Sequence, residues 1–141
     1  MRRLLALGGV VSLLFCGLTF YVIRIRMAES LYPPKGTFSW WVGVSSTIRN
    51  IPTPGLAGEA GYFTSAGDGP KPPQDEVVFR SGAPEAEIVR QVRAYLLAGG
   101  YLEQPADRGE LVFASHLERS VVHVKIVPAD GSLQVTITQF Q

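Results

Sequence analysis

The stretch SVVHVKIVPADGSLQVTITQF, Ser120–Phe140, carries the clearest structural signal in the C-terminal half of the chain. Apolar and polar residues alternate in both of its arms, which is the two-residue period of a β-strand with one buried face. The arms are separated by PADG, residues 128–131, whose Asp-Gly pair favours a tight hairpin turn. The stretch therefore predicts two antiparallel strands joined by a short turn.

The residues before this hairpin predict more strands and one helix. ELVFASH, residues 110–116, alternates in the same way and extends the hairpin to a three-stranded meander, and EVVFR, residues 76–80, is a candidate fourth strand at an edge. Between them, PEAEIVRQVRAYLLAGG, residues 84–100, has Pro in the first turn, acidic residues at its start and a Gly-Gly stop, as helices do. The apolar stripe of this helix consists of Ile88, Val92, Tyr95, Leu96 and Gly99. Residues 75–141 are thus predicted to be a small α+β domain of order (β)αβββ, with one helix packed on a three- to four-stranded antiparallel meander.

Residues 51–74 are rich in glycine and proline. From Pro52 to Pro73, ten of twenty-two residues are Gly or Pro, and few large apolar side chains interrupt them. Such a composition buries too little apolar surface to offset the entropy of ordering the chain. The segment is therefore predicted to be a linker, or an extended piece that becomes ordered only on a partner.

Residues 27–50 contain a cluster of aromatic side chains. Phe38, Trp40, Val42 and Val44 alternate with smaller residues, which predicts a strand. Tyr32, Trp40 and Trp41 are the residue types that favour the headgroup zone of a bilayer, so we expect them at a membrane interface or against a partner subunit. The alternative is that Trp40 fills the core of the downstream domain while Trp41 covers its edge.

The N-terminal segment, residues 1–26, resembles a membrane anchor in composition. Twenty uncharged residues, Leu4–Ile23, stand between MRR and RIR, and a helix of this length spans about 30 Å, the thickness of a bilayer's hydrocarbon core. A cleaved signal has a shorter apolar region of about 7–15 residues. Lipid attachment at Cys16 requires a small residue before the cysteine, where this chain has Phe15. The prediction is a single N-terminal transmembrane helix that is retained.

Within this segment, small residues recur on one side of the helix. Gly8, Ser12 and Cys16 are spaced by four residues, a spacing that lets another helix approach closely. We expect them to form a helix-packing face. The balance of arginines at the two ends favours an N-terminus inside the cytoplasm, which would place the C-terminal domain outside it, in the periplasm of a two-membrane bacterium.

Composition excludes several functional classes. The net charge is +1, and only nine basic residues stand against twelve acidic ones from Met27 onward, without the basic patch of a nucleic-acid binder. Cys16 is the single cysteine, so the chain has no intrachain disulfide and no cysteine metal motif. His116 and His123 flank one hairpin, but two imidazoles do not make a zinc site. No catalytic constellation and no cofactor are predicted.

The leading prediction is a non-catalytic, single-pass accessory or structural subunit of a larger membrane protein complex. Its partners would be membrane lipid and other transmembrane subunits, and a bacterial energy-converting assembly, photosynthetic or respiratory, would be a natural host. The alternative is a membrane-tethered envelope module that binds a ligand or protein through the C-terminal sheet domain. A minimal enzyme that acts through His116 and His123 is the least favoured of the three.

Overall fold

The computed structural model describes residues 2–106 and 109–141, with side chains from residue 11 onward. The six strands within these residues form one antiparallel sheet in the order β1-β2-β6-β5-β4-β3. The elements are α1 (Arg2–Arg26), α2 (Phe38–Gly43), α3 (Ser46–Arg49), β1 (Leu56–Ser65), β2 (Gln74–Ser81), α4 (Glu85–Ala98), β3 (Leu102–Gln104), β4 (Leu111–Ser115), β5 (Ser120–Ala129) and β6 (Ser132–Phe140).

The hairpin of β5 and β6 has the predicted tight turn. Ala129 pairs with Ser132, and the two residues between them, Asp130 and Gly131, have φ values of 43° and 77°. Positive φ at both central residues defines the turn type that matches the twist of antiparallel strands, and the Asp-Gly pair adopts it at low cost. The turn fixes the register that directs Val122, Val124, Val135 and Ile137 into the core.

Helix α4 covers one face of the sheet, as its apolar stripe predicts. Ile88, Val92 and Leu96 are fully buried and lie in the same cluster as Phe79 and Phe113 of the strands. Each buried side chain of this size contributes about 1.5–3 kcal/mol of hydrophobic stabilisation. Helix α4 connects β2 to β3 along the chain, and its buried face stabilises the sheet.

The sheet is larger than the three to four strands predicted, so the predicted fold class is wrong in its strand count. β1 comes from the Gly/Pro-rich segment, and β3 consists of only three residues after α4. β2 is an inner strand that pairs with both β1 and β6, and Val77 and Phe79 are buried on it. The composition of β1 gives no strand signal. The strand forms because its backbone pairs with β2 and because Tyr62 is buried.

Two short helices replace the strand predicted around Trp40. The Thr37 hydroxyl accepts a hydrogen bond from the Trp40 N–H, and the Ser45 hydroxyl accepts one from the Ile48 N–H. These N-caps satisfy helical N–H groups that otherwise lack a partner. The helical spacing buries Trp40 and Val44 and leaves Phe38 half exposed, which the alternation of a strand would not do.

The N-terminal helix α1 is 25 residues long. Within the part of the chain that the structure describes, however, no helix is both long and apolar enough to span a bilayer. The described side chains begin at Val11, and Arg24 and Arg26 lie in the last turn. The absence of a helix able to span a bilayer among the described residues contradicts the predicted single-pass anchor, and with it the membrane location and the periplasmic placement of the C-terminal domain.

Gly55 joins the start of β1 to the end of β2 at a close backbone approach. Its carbonyl accepts a hydrogen bond of 2.8 Å from the Gly82 N–H, its φ is +60°, and a Cβ at this position would lie 2.5 Å from the Ala83 nitrogen. Gly58 has a similar φ of +84°, but a Cβ there meets nothing within 4 Å.

We therefore expect Gly55→Ala to lower the free energy of unfolding by about 2–3 kcal/mol, because the clash adds to the cost of a left-handed alanine. Gly58→Ala should lower it by only about 1 kcal/mol, from the backbone conformation alone. Urea unfolding followed by circular dichroism measures both. Equal losses in the two variants would show that the backbone at Ala83 leaves room for a side chain at position 55, contrary to the 2.5 Å distance.

Candidate functional site

The first candidate surface is the exposed part of α1. Its C-terminal end packs on the domain: Tyr21 stacks on Phe38 with ring centroids 6.0 Å apart, and Ile25 is buried. Along the described part of α1, most large apolar side chains are nevertheless exposed. They are Val11, Leu13, Leu14, Phe15, Leu18, Phe20, Tyr21 and Ile23, each of which is about half exposed or more. We call this set the α1 apolar surface.

The predicted helix-packing residues lie partly on this part of α1. Ser12 and Cys16 are exposed one turn apart, so they lie on the same side of the helix. Gly8 belongs to the residues whose side chains fall outside the description. A helix-packing role for these three residues stays a prediction.

The predicted aromatic contact residues have different environments. Trp40 is buried against Tyr62, with ring centroids 5.5 Å apart, so it belongs to the core, as the alternative interpretation held. Trp41 is exposed and has the Arg49 guanidinium 4.8 Å above its ring. Tyr32 is exposed beside Phe63. Of these three residues, Tyr32 and Trp41 are exposed enough to contact a partner, and Trp40 is not.

The structure does not bring the two histidines together. His116 lies in the exposed turn after β4, whereas His123 is opposite Val112 in the register of β4 and β5. His123 contacts Phe140 and has its Nδ1 atom 3.8 Å from a Glu110 oxygen. Nothing in this arrangement supports a joint role in catalysis.

The second candidate site is a buried polar cluster around Tyr101. The Tyr101 hydroxyl donates a 2.5 Å hydrogen bond to Glu118 Oε2 and accepts one of 2.9 Å from the Gln139 amide. Its oxygen also lies 3.0 Å from the Ser120 hydroxyl. Tyr101, Ser120 and Gln139 are almost completely buried, whereas Glu118 reaches the surface. The cluster therefore holds one carboxylate in a fixed position at the edge of the core.

Burial and this carboxylate together change the acidity of two tyrosines. Burial, followed by the hydrogen bond to Glu118, raises the pKa of Tyr101 above its ordinary value. Burial also raises the pKa of Tyr95, with smaller contributions from the neighbouring Tyr101 and Glu118. Both phenols are therefore neutral hydrogen-bond donors at neutral pH, and Tyr95 donates to the Thr47 carbonyl at 3.0 Å.

A cavity of about 360 Å³ opens beside this cluster. Helix α3, the C-terminal end of α4 and the turn between β4 and β5 form its walls, and Thr47, Tyr95, Tyr101 and Glu118 line it. This volume is at the small end of the range of about 300–1,000 Å³ that is typical of ligand sites. Sequence reasoning missed the site because its residues come from four separate segments. The one available signal is Gln139, a polar residue at a position of β6 that the alternation assigns to the core.

Comparison with known protein families, curated proteins and solved structures finds no match for this chain. Among the residues that the structure describes, no group of three or more His, Cys, Asp or Glu side chains could hold a metal ion. Function is therefore inferred from the chain's own geometry.

Proposed function

We propose that this protein is a non-catalytic accessory subunit of a larger protein complex, held to its partner by the α1 apolar surface. The observation that carries the proposal is the exposure of eight large apolar side chains within residues 11–26 of α1, while Tyr21 and Ile25 pack on the domain. Exposed apolar patches of this extent mark interaction surfaces on folded proteins.

Burying the α1 apolar surface would offset the entropic cost of association. Burying a large apolar side chain contributes about 1.5–3 kcal/mol, so covering the α1 apolar surface supplies on the order of 10 kcal/mol. That amount is comparable with the cost of lost translational and rotational freedom, which is estimated at about 4–15 kcal/mol. Exposed Tyr32 and Trp41 lie on the domain and would add to the contact, since aromatic residues are enriched at interfaces.

The proposal is tested by purifying the tagged full-length chain from its native cells under mild conditions and identifying stoichiometric partners by mass spectrometry. The key variant is Leu14→Gln with Leu18→Gln, which removes two side chains of the α1 apolar surface. Neither belongs to the core cluster, so we expect unchanged thermal stability together with at least a tenfold loss of bound partner.

The matched control is Leu117→Gln in the turn after β4, where the leucine is 91% exposed and lies outside α1. It should retain the partner at the wild-type level. A chain that elutes alone, or a double variant that keeps its partner, would contradict the role of α1.

A further inference from the structure

Among the residues that the structure describes, the cavity beside Tyr101 has a positioned carboxylate and no cation that pairs with it. Glu118 Oε2 accepts the short bond from Tyr101 and longer ones of 3.4 Å from Thr47 and Gln139. Over residues 2–106 and 109–141, no hydrogen bond reaches Glu118 Oε1, and no Lys, Arg or His side chain forms an ion pair with this carboxylate. One oxygen is thus held in place while the other is available to a ligand.

The rest of the lining is also suited to a positive charge. Ala98 and Gly99, at the C-terminal end of α4, line the cavity, and the last turn of α4 has no basic residue. A helix C-terminus carries a partial negative charge of about half an elementary charge. The described lining residues include no Lys, Arg or His, and Glu118 is the one charged side chain among them.

The lining distinguishes between classes of cation. The half-buried Tyr95 ring gives the cavity an aromatic wall, which suits a hydrocarbon group and the attraction of a cation to an aromatic ring. A metal ion such as Ca²⁺ takes about 6–8 oxygen ligands, whereas this lining offers a single carboxylate. An amino acid would bring a second, negative group to a site without a positive partner.

We propose that this cavity binds a small organic ammonium compound that has an apolar body and no carboxylate. The ammonium group donates to Glu118 Oε1, the apolar body lies along the Tyr95 ring, and Asn50 and Ser46 provide further polar contacts at the rim. Tyr101 and Gln139 act as positioning residues, since they hold the carboxylate through its other oxygen. This binding is independent of the docking of α1.

The test is a calorimetric titration of the full-length protein with 2-phenylethylammonium as the probe. A second titration uses 3-phenylpropionate, which has a similar shape and the opposite charge. We expect saturable binding of the amine with a Kd at or below about 1 mM, and no binding of the carboxylate. Equal affinity for both probes, or the absence of saturable amine binding, would overturn the proposal.

Two variants and one control locate the site. Glu118→Gln keeps the side-chain shape and should weaken amine binding at least tenfold. Ala98→Arg places a cation at an exposed lining position and should abolish binding, while the helix C-terminus tolerates the new charge. Glu110→Gln, near His123 and outside this lining, should leave the affinity unchanged. Unaltered amine binding in Glu118→Gln, with a wild-type melting temperature, would show that the probe binds elsewhere.

Discussion

Replacing Trp40 with alanine is expected to lower the free energy of unfolding by about 3–5 kcal/mol, the range for truncating a large buried aromatic residue. Trp40 is only 6% exposed and belongs to the same core cluster as Val44, Ile48 and Tyr62. Its ring packs on Tyr62 of β1 and so joins α2 to the edge of the sheet. The loss should appear as a lower midpoint in urea unfolding followed by far-ultraviolet circular dichroism.

The neighbouring tryptophan provides a matched control. Trp41 is 57% exposed; it contacts the Arg49 guanidinium and packs edge-on against Trp40, with ring centroids 5.2 Å apart. An exposed cation–π contact contributes about 0.5–1 kcal/mol and an aromatic pair about 0.5–1.5 kcal/mol, so Trp41→Ala should lower the free energy of unfolding by about 1–2 kcal/mol. Equal losses at the two positions would show that Trp40 is not part of the core and that α2 does not pack on β1 as described.

Trp40 also shows why sequence reasoning assigned the wrong structure to its segment. The alternation around it indicates a strand, but Thr37 and Ser45 each cap a short helix, and the caps decide the backbone conformation. The β5–β6 hairpin and α4 were predictable because their periodicity, turn residues and stop signals agree with one another. Where local signals conflict, tertiary packing determines the outcome.

The edges of the sheet were unpredictable for a different reason. β1 contains two glycines and two alanines among its ten residues, and β3 is three residues long, so neither shows a clear alternation of apolar and polar residues. Both are held by backbone hydrogen bonds to a neighbouring strand, β2 for β1 and β4 for β3. Such strands exist because a partner offers unpaired backbone groups, which a single sequence window does not show.

The candidate sites were predictable only in part. The apolar residues of α1 are visible in the sequence, as are Tyr32 and Trp41, which the structure leaves exposed. The Tyr101 cluster is different because its members come from α3, the segment after α4, the β4–β5 turn and β6. In its local sequence, each residue resembles an ordinary turn or strand residue, and the sheet register brings them together.

Replacing Gln139 with leucine is the second substitution with a large expected effect. Gln139 is 2% exposed, its Oε1 accepts a 2.5 Å bond from the Ser45 hydroxyl, and its Nε2 donates at 2.9 Å to the Tyr101 hydroxyl. Leucine fills a similar volume but leaves both partners without that bond. Tyr101 keeps its bond to Glu118, and Ser45 keeps the bond from the Ile48 N–H. Since a lost hydrogen bond costs about 0.5–1.5 kcal/mol, we expect a loss of about 1–3 kcal/mol.

Gln134→Leu is the appropriate control because it makes the same change on the same strand. Gln134 points to the opposite face of β6, is only partly buried, and makes no side-chain hydrogen bond within the described residues. Its replacement should change the free energy of unfolding by less than about 0.5 kcal/mol, as at ordinary surface sites. If both leucine variants were equally stable, the hydrogen bonds of Gln139 would contribute nothing net to the fold.

Retained amine binding in Gln139→Leu would further show that Tyr101 alone positions Glu118, because Gln139 reaches the carboxylate only at 3.4 Å whereas Tyr101 reaches it at 2.5 Å.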